Sequence, residues 1–583
     1  MNYKAFRRAA VNTAGLLLIS MACIASACKD EEQIDRRDSF ISVGGITRGD
    51  SSYRKNQLYM LFGMAKSSIN FFEFNVMYGD ESINVNPHWV RDHILILKSA
   101  RYLRGDVASF INLLLEEQHP DGFFYEIIAP YPGDPHAGYM VSPEARKLEK
   151  NADGENAYLV TGKPRFAKID ENKGFGLCRL ELEADVEYLM VEGAYLAWQA
   201  TGDMDFLKRS LPKLEKGLNY IMTDPTRWDK TYNLAKRPRT IDTWDFLNNK
   251  RSSMDRTIHP DDPMGIMHGD NTGLYQAEIL LAKMYRAAGD ISKASHWEKL
   301  ASELKERINK HLWNGEFYKH YIPLTPVNYG VDDATQLSLS NAYNINRGVT
   351  TPEMTRKVIN RYRSMRDKYK GDFDDFRTLD PAYPEFNGCK AGKYLNGTIG
   401  PFVAGQLAVA AYENGMEDYG SDILERFASK IKADGKVAFL YGLDGNDIGG
   451  GPRSWSGAEL LYAFTRGLAG VKDNAALFED VTISPRWVSA NKPSAHVFLK
   501  YPASGRFVEY KFFNDTKNKR LKMNLISGHK NALIRILLPK GAKNPNLTID
   551  GKPQKTDIED VFGSKYVLVK NPAKGSIIEI SYK

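Results

Sequence analysis

The stretch DVEYLMVEGAYLAWQA, residues 185–200, carries apolar side chains at a helical period. Val186, Leu189, Met190 and Gly193 lie three or four residues apart, which is the spacing of one face of an α-helix. The polar residues Asp185 and Glu187 stand in the first turn, where negative charge is favourable. This stretch is therefore predicted to be a helix packed against other helices.

Comparable segments recur along most of the chain. Twelve helices are predicted, near 54–72, 89–103, 106–118, 185–201, 203–222, 270–288, 291–312, 332–344, 351–366, 396–414, 418–432 and 455–468. Tight Gly-Asp turns join several pairs, at Gly105-Asp106, Gly202-Asp203 and Gly289-Asp290. Gly ends one helix and Asp caps the next, so the pairs are predicted to be helical hairpins.

Long loops separate some of these pairs. They are rich in Pro, Gly, Asp and aromatic residues and cover 119–184, 224–269, 314–331, 367–395 and 433–454. Loops of this length in a compact domain are usually functional. We expect them to converge on one face and to form a binding site.

Beyond about residue 480 the pattern changes to short β-type runs. Examples are 495–501, 532–538 and 576–581, with turns such as Asp550-Gly551 between them. These runs predict a small C-terminal β-sandwich. A chain of 583 residues is long for one domain, and the boundaries are placed at 51–475 for the helical domain and 476–583 for the sandwich.

The N-terminus has the pattern of an export signal. Lys4, Arg7 and Arg8 precede an apolar run, residues 14–27, that is short for a membrane-spanning helix. Residues 1–27 are therefore predicted to be a signal peptide.

The end of this run resembles a bacterial lipoprotein processing site. Ala25-Ser26-Ala27-Cys28 is followed by a polar stretch, which implies lipidation of Cys28 and an anchored linker over 28–50. Ala25 stands where that pattern usually has Leu, so ordinary cleavage after Ala27 is the alternative. Both imply export. If Cys28 is lipidated, the lipid is expected to be the only membrane contact.

Composition and motifs exclude several classes of protein. The formal charge of +7 falls to +4 (7 − 3) once the three basic residues of 1–27 are removed, which is too small for a nucleic-acid-binding surface. The chain has no zinc-type His/Cys spacing, P-loop or dinucleotide-binding glycine pattern. No cofactor, metal or nucleic-acid partner is therefore predicted, and the sequence does not indicate an oligomeric state.

The motif PHWVRD, residues 87–92, opens one of the predicted helices. Trp89 supplies a flat aromatic face, and Arg91 and Asp92 supply bidentate polar groups, which together suit a sugar. The motif resembles the Trp-x-Arg-Asp element of glucoamylases and glycogen-debranching glucosidases, which implies that these residues bind the hydroxyls of a terminal sugar. A capped helix with an internal ion pair is the alternative.

The motif TIDTWDF, residues 240–246, lies in a long loop. It resembles the Trp-Asp-Phe of trehalases and the Asp-x-Trp-Glu of glucoamylases, which implies that Asp245 is the general acid and that Trp244 contacts the sugar. An aromatic wall removes water from a carboxyl and raises its pKa. Asp242 would bind sugar or tune that pKa; the alternative is a surface loop with two ordinary aspartates.

Three further stretches resemble the same enzymes. INKHLWN at 308–314 is a structural landmark, whereas Asn396, before Gly397, and Trp455 stand at the starts of the last two helices that would face inward, and both are expected to bind substrate. All of these landmarks fall within about 85–470, in the family's order. The resemblance implies a mainly α six-hairpin α/α toroid and a glycoside hydrolase that removes a terminal, α-linked sugar from a carbohydrate substrate with inversion.

The resemblance fails at the second carboxylate. Inversion needs a base to activate water, and these families place a Glu in the loop before the Trp-Ser helix, where this chain has Ala438. Glu385 and Asp447 are the candidate replacements. Glu385 is favoured slightly because its neighbours in 383–387 are sugar-contact types, whereas Asp447 is also explained as a turn residue.

Three other functions stay open. A phosphorylase of the same fold lacks a carboxylate base, and Gly449-Gly450-Gly451 with Arg453 would cradle phosphate. A lyase would use His or Tyr as its base. A glycan-binding protein would keep the sugar-binding residues after losing the base.

Overall fold

The computed structural model describes residues 39–43, 65, 74–78, 81–85, 89–130, 164–170, 175–243, 247 and 257–583. The expected signal peptide, Cys28, Trp244 and Asp245 lie outside the described residues, as does nearly all of the helix expected near 54–72.

The described part contains eleven α-helices. They are α1 (Val90–Ala100), α2 (Ser109–Glu116), α3 (Val186–Thr201), α4 (Met204–Thr223), α5 (His268–Ala287), α6 (Ile291–Leu312), α7 (Ser340–Arg347), α8 (Pro352–Tyr369), α9 (Pro401–Glu413), α10 (Glu417–Asp434) and α11 (Arg453–Tyr462). A π-helical segment, Ala463–Leu468, continues α11. The predicted helices beyond residue 89 are confirmed, although α7 begins later than expected because 333–335 forms a 3-10 turn.

Short strands connect the helices. They are β1 (Phe40–Val43), β2 (Phe74–Tyr78), β3 (Glu81–Val85), β4 (Ile127–Pro130), β5 (Ala167–Asp170), β6 (Phe175–Cys178), β7 (Trp228–Asp229), β8 (Leu234–Ala235), β9 (Arg237–Pro238), β10 (Met264–Met267), β11 (Tyr321–Pro323), β12 (Leu337–Ser338), β13 (Leu379–Asp380), β14 (Glu385–Phe386) and β15 (Cys389–Lys390).

Six helices form a closed ring. Helix α1 packs against α3, and contacts continue through α5, α7, α9 and α11, which returns to pack against α1. Helices α3 and α9 are buried almost all round, which explains why they are apolar on most sides. The helices that alternate along the chain with those of the ring are amphipathic. Helix α6, for example, buries Ala294, Trp297, Ala301, Leu304 and Ile308 on one face.

Two of the three Gly-Asp turns behave as predicted; at the third, α1 already ends at Ala100, before Gly105, although Asp106 accepts from the Ser109 N–H at the start of α2. Gly202 ends α3 with φ of 68°, and the side chain of Asp203 accepts hydrogen bonds from the first turn of α4. Asp290 accepts a hydrogen bond from the Lys293 N–H in the same way. Each of these two turns therefore ends one helix and starts its antiparallel partner.

The C-terminal region is rich in strands. They are β16 (Val471–Asp473), β17 (Asp480–Ile483), β18 (Ser494–Lys500), β19 (Phe507–Asp515), β20 (Arg520–Leu525), β21 (Asn531–Leu537), β22 (Asn546–Ile549), β23 (Lys552–Gln554), β24 (Asp557–Val561), β25 (Ser564–Lys570) and β26 (Ile577–Ser581). One sheet has the order β16-β17-β21-β25-β24, and the other has the order β1-β18-β19-β20-β26-β22-β23. The three β-type runs of the sequence are confirmed as β18, β21 and β26.

Strand β1 corrects one expectation about the N-terminal segment. Residues 40–43 fall within the expected linker, yet they pair antiparallel with β18 at the edge of the seven-stranded sheet. Phe40 stacks on Phe498 with ring centroids 5.5 Å apart, and Ile41 is fully buried. Burial of Ile41 and the paired backbone explain why this part is a strand. Among the described residues, no helix is long and apolar enough to cross a membrane.

Gly405→Ala tests the ring closure. A Cβ at Gly405 in α9 would lie 2.5 Å from the Glu459 carbonyl oxygen of α11, and backbone cannot move aside as a side chain can. We expect the free energy of unfolding to fall by about 1–3 kcal/mol, more than offsetting the better helix propensity of Ala.

Chemical denaturation measures this loss. Gly105→Ala is the control, because a Cβ there has nothing within 4 Å, and its effect should stay within about 0.5 kcal/mol. Equal stability of the two variants would contradict the close approach of α9 and α11.

Candidate active site

A pocket lies at one end of the ring, where the inner helices begin. Its walls combine residues of four inner helices with two loops: Arg91 and Leu95, Asp185, Tyr188 and Leu189, Thr243, Leu339, Ser340, Tyr343 and Arg347, and Trp455. Because the first turns of α1, α3, α7 and α11 all contribute, the N-terminal ends of these helices converge here.

Arg91 is the centre of a buried ion network beside this pocket. Its Nε and Nη2 donate to the two carboxylate oxygens of Asp185 at 2.6 and 3.0 Å, and Nη2 also contacts Glu183. Burial opposes the charge of Arg91, but the carboxylates outweigh it and raise the pKa of the guanidinium well above its usual value. Arg91 therefore stays charged and joins α1 to the segment that precedes α3.

The other residues of the PHWVRD motif lie elsewhere. Trp89 is half-buried, and its backbone forms a bridge with Ile127. Asp92 is half-buried in the first turn of α1. Neither is among the pocket-lining residues, so the structure brings only Arg91 of this motif into the pocket wall.

Asp270 is a buried carboxylate that is not among the pocket-lining residues. It lies in the first turn of α5, and neither carboxylate oxygen accepts a hydrogen bond within the described part of the chain. Arg237 lies 3.5 Å away. Burial raises the pKa of Asp270 to about 6, although Arg237 acts in the opposite direction. The sequence indicated only a possible helix cap here.

Asp242 anchors the loop that carries the proposed acid. It is fully buried with φ of 36°, and its carboxylate accepts from the Ser340 hydroxyl at 2.6 Å and the Ser340 N–H at 3.1 Å. Its own N–H donates to His320 Nε2 at 3.0 Å. Burial works to raise the pKa of Asp242, but the neighbouring His268 and His320 and the hydrogen bonds lower it overall.

This anchor brings the loop to the pocket. Thr243, the next residue, lines the pocket wall and directly precedes Trp244 and Asp245 in the sequence. Both Asp242 oxygens are engaged by Ser340, which makes Asp242 a positioning residue in this structure.

Trp455 and Asn396 have different surroundings. Trp455 lines the pocket, its Nε1 donates to the Tyr343 hydroxyl at 3.2 Å, and its ring stacks on Phe402 at 4.6 Å. The Asn396 amide instead donates to the backbone oxygens of Tyr383 and Cys389. Asn396 holds the loop over 383–396 together and is not among the pocket-lining residues.

The two candidate bases lie outside the pocket wall. Glu385 is exposed in β14, at a short hairpin with β15. Asp447 is paired with Lys436 at 2.7 Å and Arg453 at 3.0 Å. Partial burial opposes ionisation of Asp447, but its hydrogen bonds and the two cations lower its pKa. Neither residue lines the pocket, and Ala438 is fully buried.

The glycine stretch considered for phosphate binding has other partners. The Gly449 N–H donates to Asp447 at 2.9 Å, and Arg453 pairs with the same carboxylate. A Cβ at Gly451 would lie 2.5 Å from the Phe439 ring, so packing accounts for that glycine. The donors expected to bind phosphate are therefore engaged by an internal carboxylate.

Several site residues were not singled out from the sequence. Tyr188, Tyr343 and Arg347 line the pocket, and Glu183 and Asp185 bind Arg91. From the sequence, Asp185 was interpreted only as a polar residue of a helical first turn. The signal in the sequence that could have identified these site residues was the presence of polar residues within otherwise apolar helices.

Comparisons with known proteins agree with this geometry at the level of class. Residues 187–445 match the model of the mannosylglycerate hydrolase MGH1-like glycoside hydrolase domain. This stretch, less than half of the chain, is therefore similar to a glycoside hydrolase domain. A stretch of 46 residues, 8% of each chain, is 48% identical to the periplasmic trehalase of Salmonella paratyphi B.

Solved structures share the fold at low sequence identity. An α-L-rhamnosidase from Dictyoglumus thermophilum is 12% identical with a TM-score of 0.57, over 93% of this chain and 50% of that one. The Streptomyces avermitilis α-L-rhamnosidase complexed with L-rhamnose is 12% identical with a TM-score of 0.54, over 93% and 42%. This chain thus spans half or less of the length of each of these two enzymes.

Asp270→Asn tests the buried carboxylate through the pH dependence of stability. The folded pKa of about 6 lies above the ordinary value of 3.8, so the stability that protonated Asp270 contributes is complete below pH 3.8 and is lost as pH rises through 6. In the wild type we expect the free energy of unfolding to fall by about 3 kcal/mol between pH 4 and 7. In Asp270→Asn we expect this fall to be absent.

Urea unfolding at several pH values measures the difference. Asp205→Asn, at an exposed carboxylate of α4, is the control and should keep the wild-type slope. Parallel curves for wild type and Asp270→Asn would show that Asp270 is ionised throughout this range.

Proposed function

We propose that the protein is an inverting glycoside hydrolase that removes a terminal, α-linked hexose from a glycan or glycoside. Its ring of helices would be the six-hairpin α/α toroid, with the strand-rich region as a C-terminal β-sandwich. The single observation that carries the proposal is the Asp242–Ser340 anchor, which sets Thr243 in the pocket wall immediately before Trp244 and Asp245.

In the proposed reaction, Asp245 donates a proton to the glycosidic oxygen as the bond to the sugar breaks. A water molecule attacks the anomeric carbon from the opposite face, and a second carboxylate takes its proton. The pocket encloses about 20 Å³, so binding a sugar would require it to widen; its wall carries groups of the types that contact sugars, the Trp455 ring and the hydroxyls of Tyr188 and Tyr343. Arg91 keeps the wall rigid through its bidentate contact with Asp185.

Glu385 is the proposed base. Asp447 is held by Lys436 and Arg453, and this pairing favours a structural role for it. Glu385 stands on the β14–β15 hairpin, next to Phe386, which packs on Tyr383 with ring centroids 5.0 Å apart. An inverting pair is separated by roughly 6.5–9.5 Å across the sugar, so the proposal requires Glu385 to lie at that distance from Asp245 when substrate is bound.

The proposal includes export and lipidation of Cys28. It rests on the signal pattern of residues 1–28, and the periplasmic location named for the related trehalase is in keeping with it. A carbohydrate is the proposed substrate.

Asp245→Asn is the decisive variant. Replacing the acid removes proton donation to the leaving group, so we expect turnover on a responsive glycoside to fall by about 10²–10⁴-fold. A panel of aryl and natural α-glycosides, with and without phosphate, identifies the responsive substrate. Asp205→Asn should keep full activity, and circular dichroism should show that both variants fold. Wild-type turnover in Asp245→Asn would exclude Asp245 as the acid.

A pair of variants tests the base. Glu385→Gln should abolish hydrolysis, whereas Asp447→Asn should retain most of it, because Asp447 only neutralises two neighbouring cations. NMR of the first product should show the inverted anomer. Loss of activity in Asp447→Asn alone would transfer the role to Asp447, and a sugar phosphate as product would indicate a phosphorylase.

A further inference from the structure

The solvent-facing side of the seven-stranded sheet is distinct from the pocket. Alternate residues Phe512, Leu521 and Ile580 are buried in the core. Their neighbours along β19, β20 and β26 must therefore project from the opposite face. This face lies in the C-terminal region, and its lining shares no residue with that of the pocket.

The projecting residues are aligned across four strands. Phe513 pairs with Lys522, Lys522 with Glu579, and Glu579 with Thr548. Asp515 and Arg520 pair in the next row on the same face. Register of this kind sets side chains of adjacent strands side by side. The result is a continuous surface that we call the sheet groove, defined by these six residues.

The sheet groove has the size and composition of a ligand site. Its volume is about 660 Å³, within the range of roughly 300–1,000 Å³ that small-ligand sites occupy. Phe513 is 42% exposed, so its ring is accessible to a ligand.

The charges of the sheet groove balance. Lys522 lies 3.4 Å from Glu579, and Arg520 is paired across the strands with Asp515. Two cations and two anions leave no net charge, so the groove does not complement a polyanion or a polycation. It offers donors and acceptors together beside an aromatic ring. A sugar presents the matching groups: hydroxyls that both donate and accept, and an apolar ring face.

We propose that the sheet groove is a second carbohydrate-binding site, which binds an uncharged glycan chain away from the catalytic pocket. The choice of a glycan over another uncharged polar ligand rests on the proposed function. Phe513 stacks on a sugar ring, and the paired charges bind hydroxyls on neighbouring sugars. The site would hold a polymeric substrate while the pocket removes its terminal residue.

Phe513→Ala tests the site in the full-length protein. Native affinity electrophoresis measures retardation by pullulan and by α-mannan as uncharged probes, with polygalacturonate as an anionic probe. We expect one uncharged polymer to retard the wild type and its apparent affinity to fall about tenfold in the variant. Phe562→Ala is the matched control, because Phe562 is 41% exposed elsewhere on the same region; it should be retarded like the wild type.

Activity separates this proposal from the proposed function. Phe513→Ala should hydrolyse a small glycoside at the wild-type rate while losing activity on the polymer. Retardation without any hydrolysis would refute the hydrolase and leave the groove supported. No retardation by either uncharged polymer, equal retardation of both variants, retardation by polygalacturonate alone, or a change of oligomeric state in Phe513→Ala during sedimentation would overturn the carbohydrate site.

Discussion

The close approach of the inner helices is the constraint on which the rest of the structure depends. Gly405 lets α9 approach the backbone of α11, and the Ser99 hydroxyl of α1 donates to the Ala458 carbonyl of α11 at 2.6 Å. These contacts close the ring between its first and last helices. Closure brings the N-terminal ends of the helices to one opening, where their partial positive charges favour carboxylates. The positions of Asp185 and Asp270 follow from this.

Burial of the ion network at this opening carries an unfavourable desolvation free energy. Burying a charge is unfavourable, and a buried pair only offsets that cost when its geometry is good. Arg91 meets this requirement through two oxygens of Asp185, and Arg179 pairs with Glu187 at 3.2 Å. Asp270 does not meet it, since no hydrogen bond reaches its oxygens within the described part. Groups that are left unsatisfied in this way concentrate near functional sites.

Local patterns in the sequence predicted the helices well. Helical period and Gly-Asp turns are short-range signals, and α3, α4, α5 and α6 follow them closely. The partners of Arg91 could not be predicted, because Glu183 and Asp185 are about 90 residues away and only ring closure brings them together. The strand at 40–43 escaped notice for the same reason, since its partner β18 lies some 450 residues further on.

The candidate site was predicted in part. Arg91 and Trp455 do line the pocket, and Thr243 brings the loop of Trp244 and Asp245 to it. Neighbouring residue types cannot tell whether a carboxylate faces a pocket or solvent, which is why the sequence favoured Glu385 over Asp447 only slightly and neither lines the pocket. Asn396 was assigned to the substrate, but its amide is used by the backbone of a loop. The position and role of Asp245 remain a prediction.

The pairing of β1 with β18 limits the reach of the proposed lipid tether. From Cys28 to Phe40 there are twelve residue steps (40 − 28), which span about 40 Å when fully extended. The tether would enter at the edge of the same sheet whose outer face carries Phe513 and Lys522. An enzyme attached by so short a segment would act within a thin layer next to the bilayer. Its substrates would be glycans that extend into that layer or are bound within it.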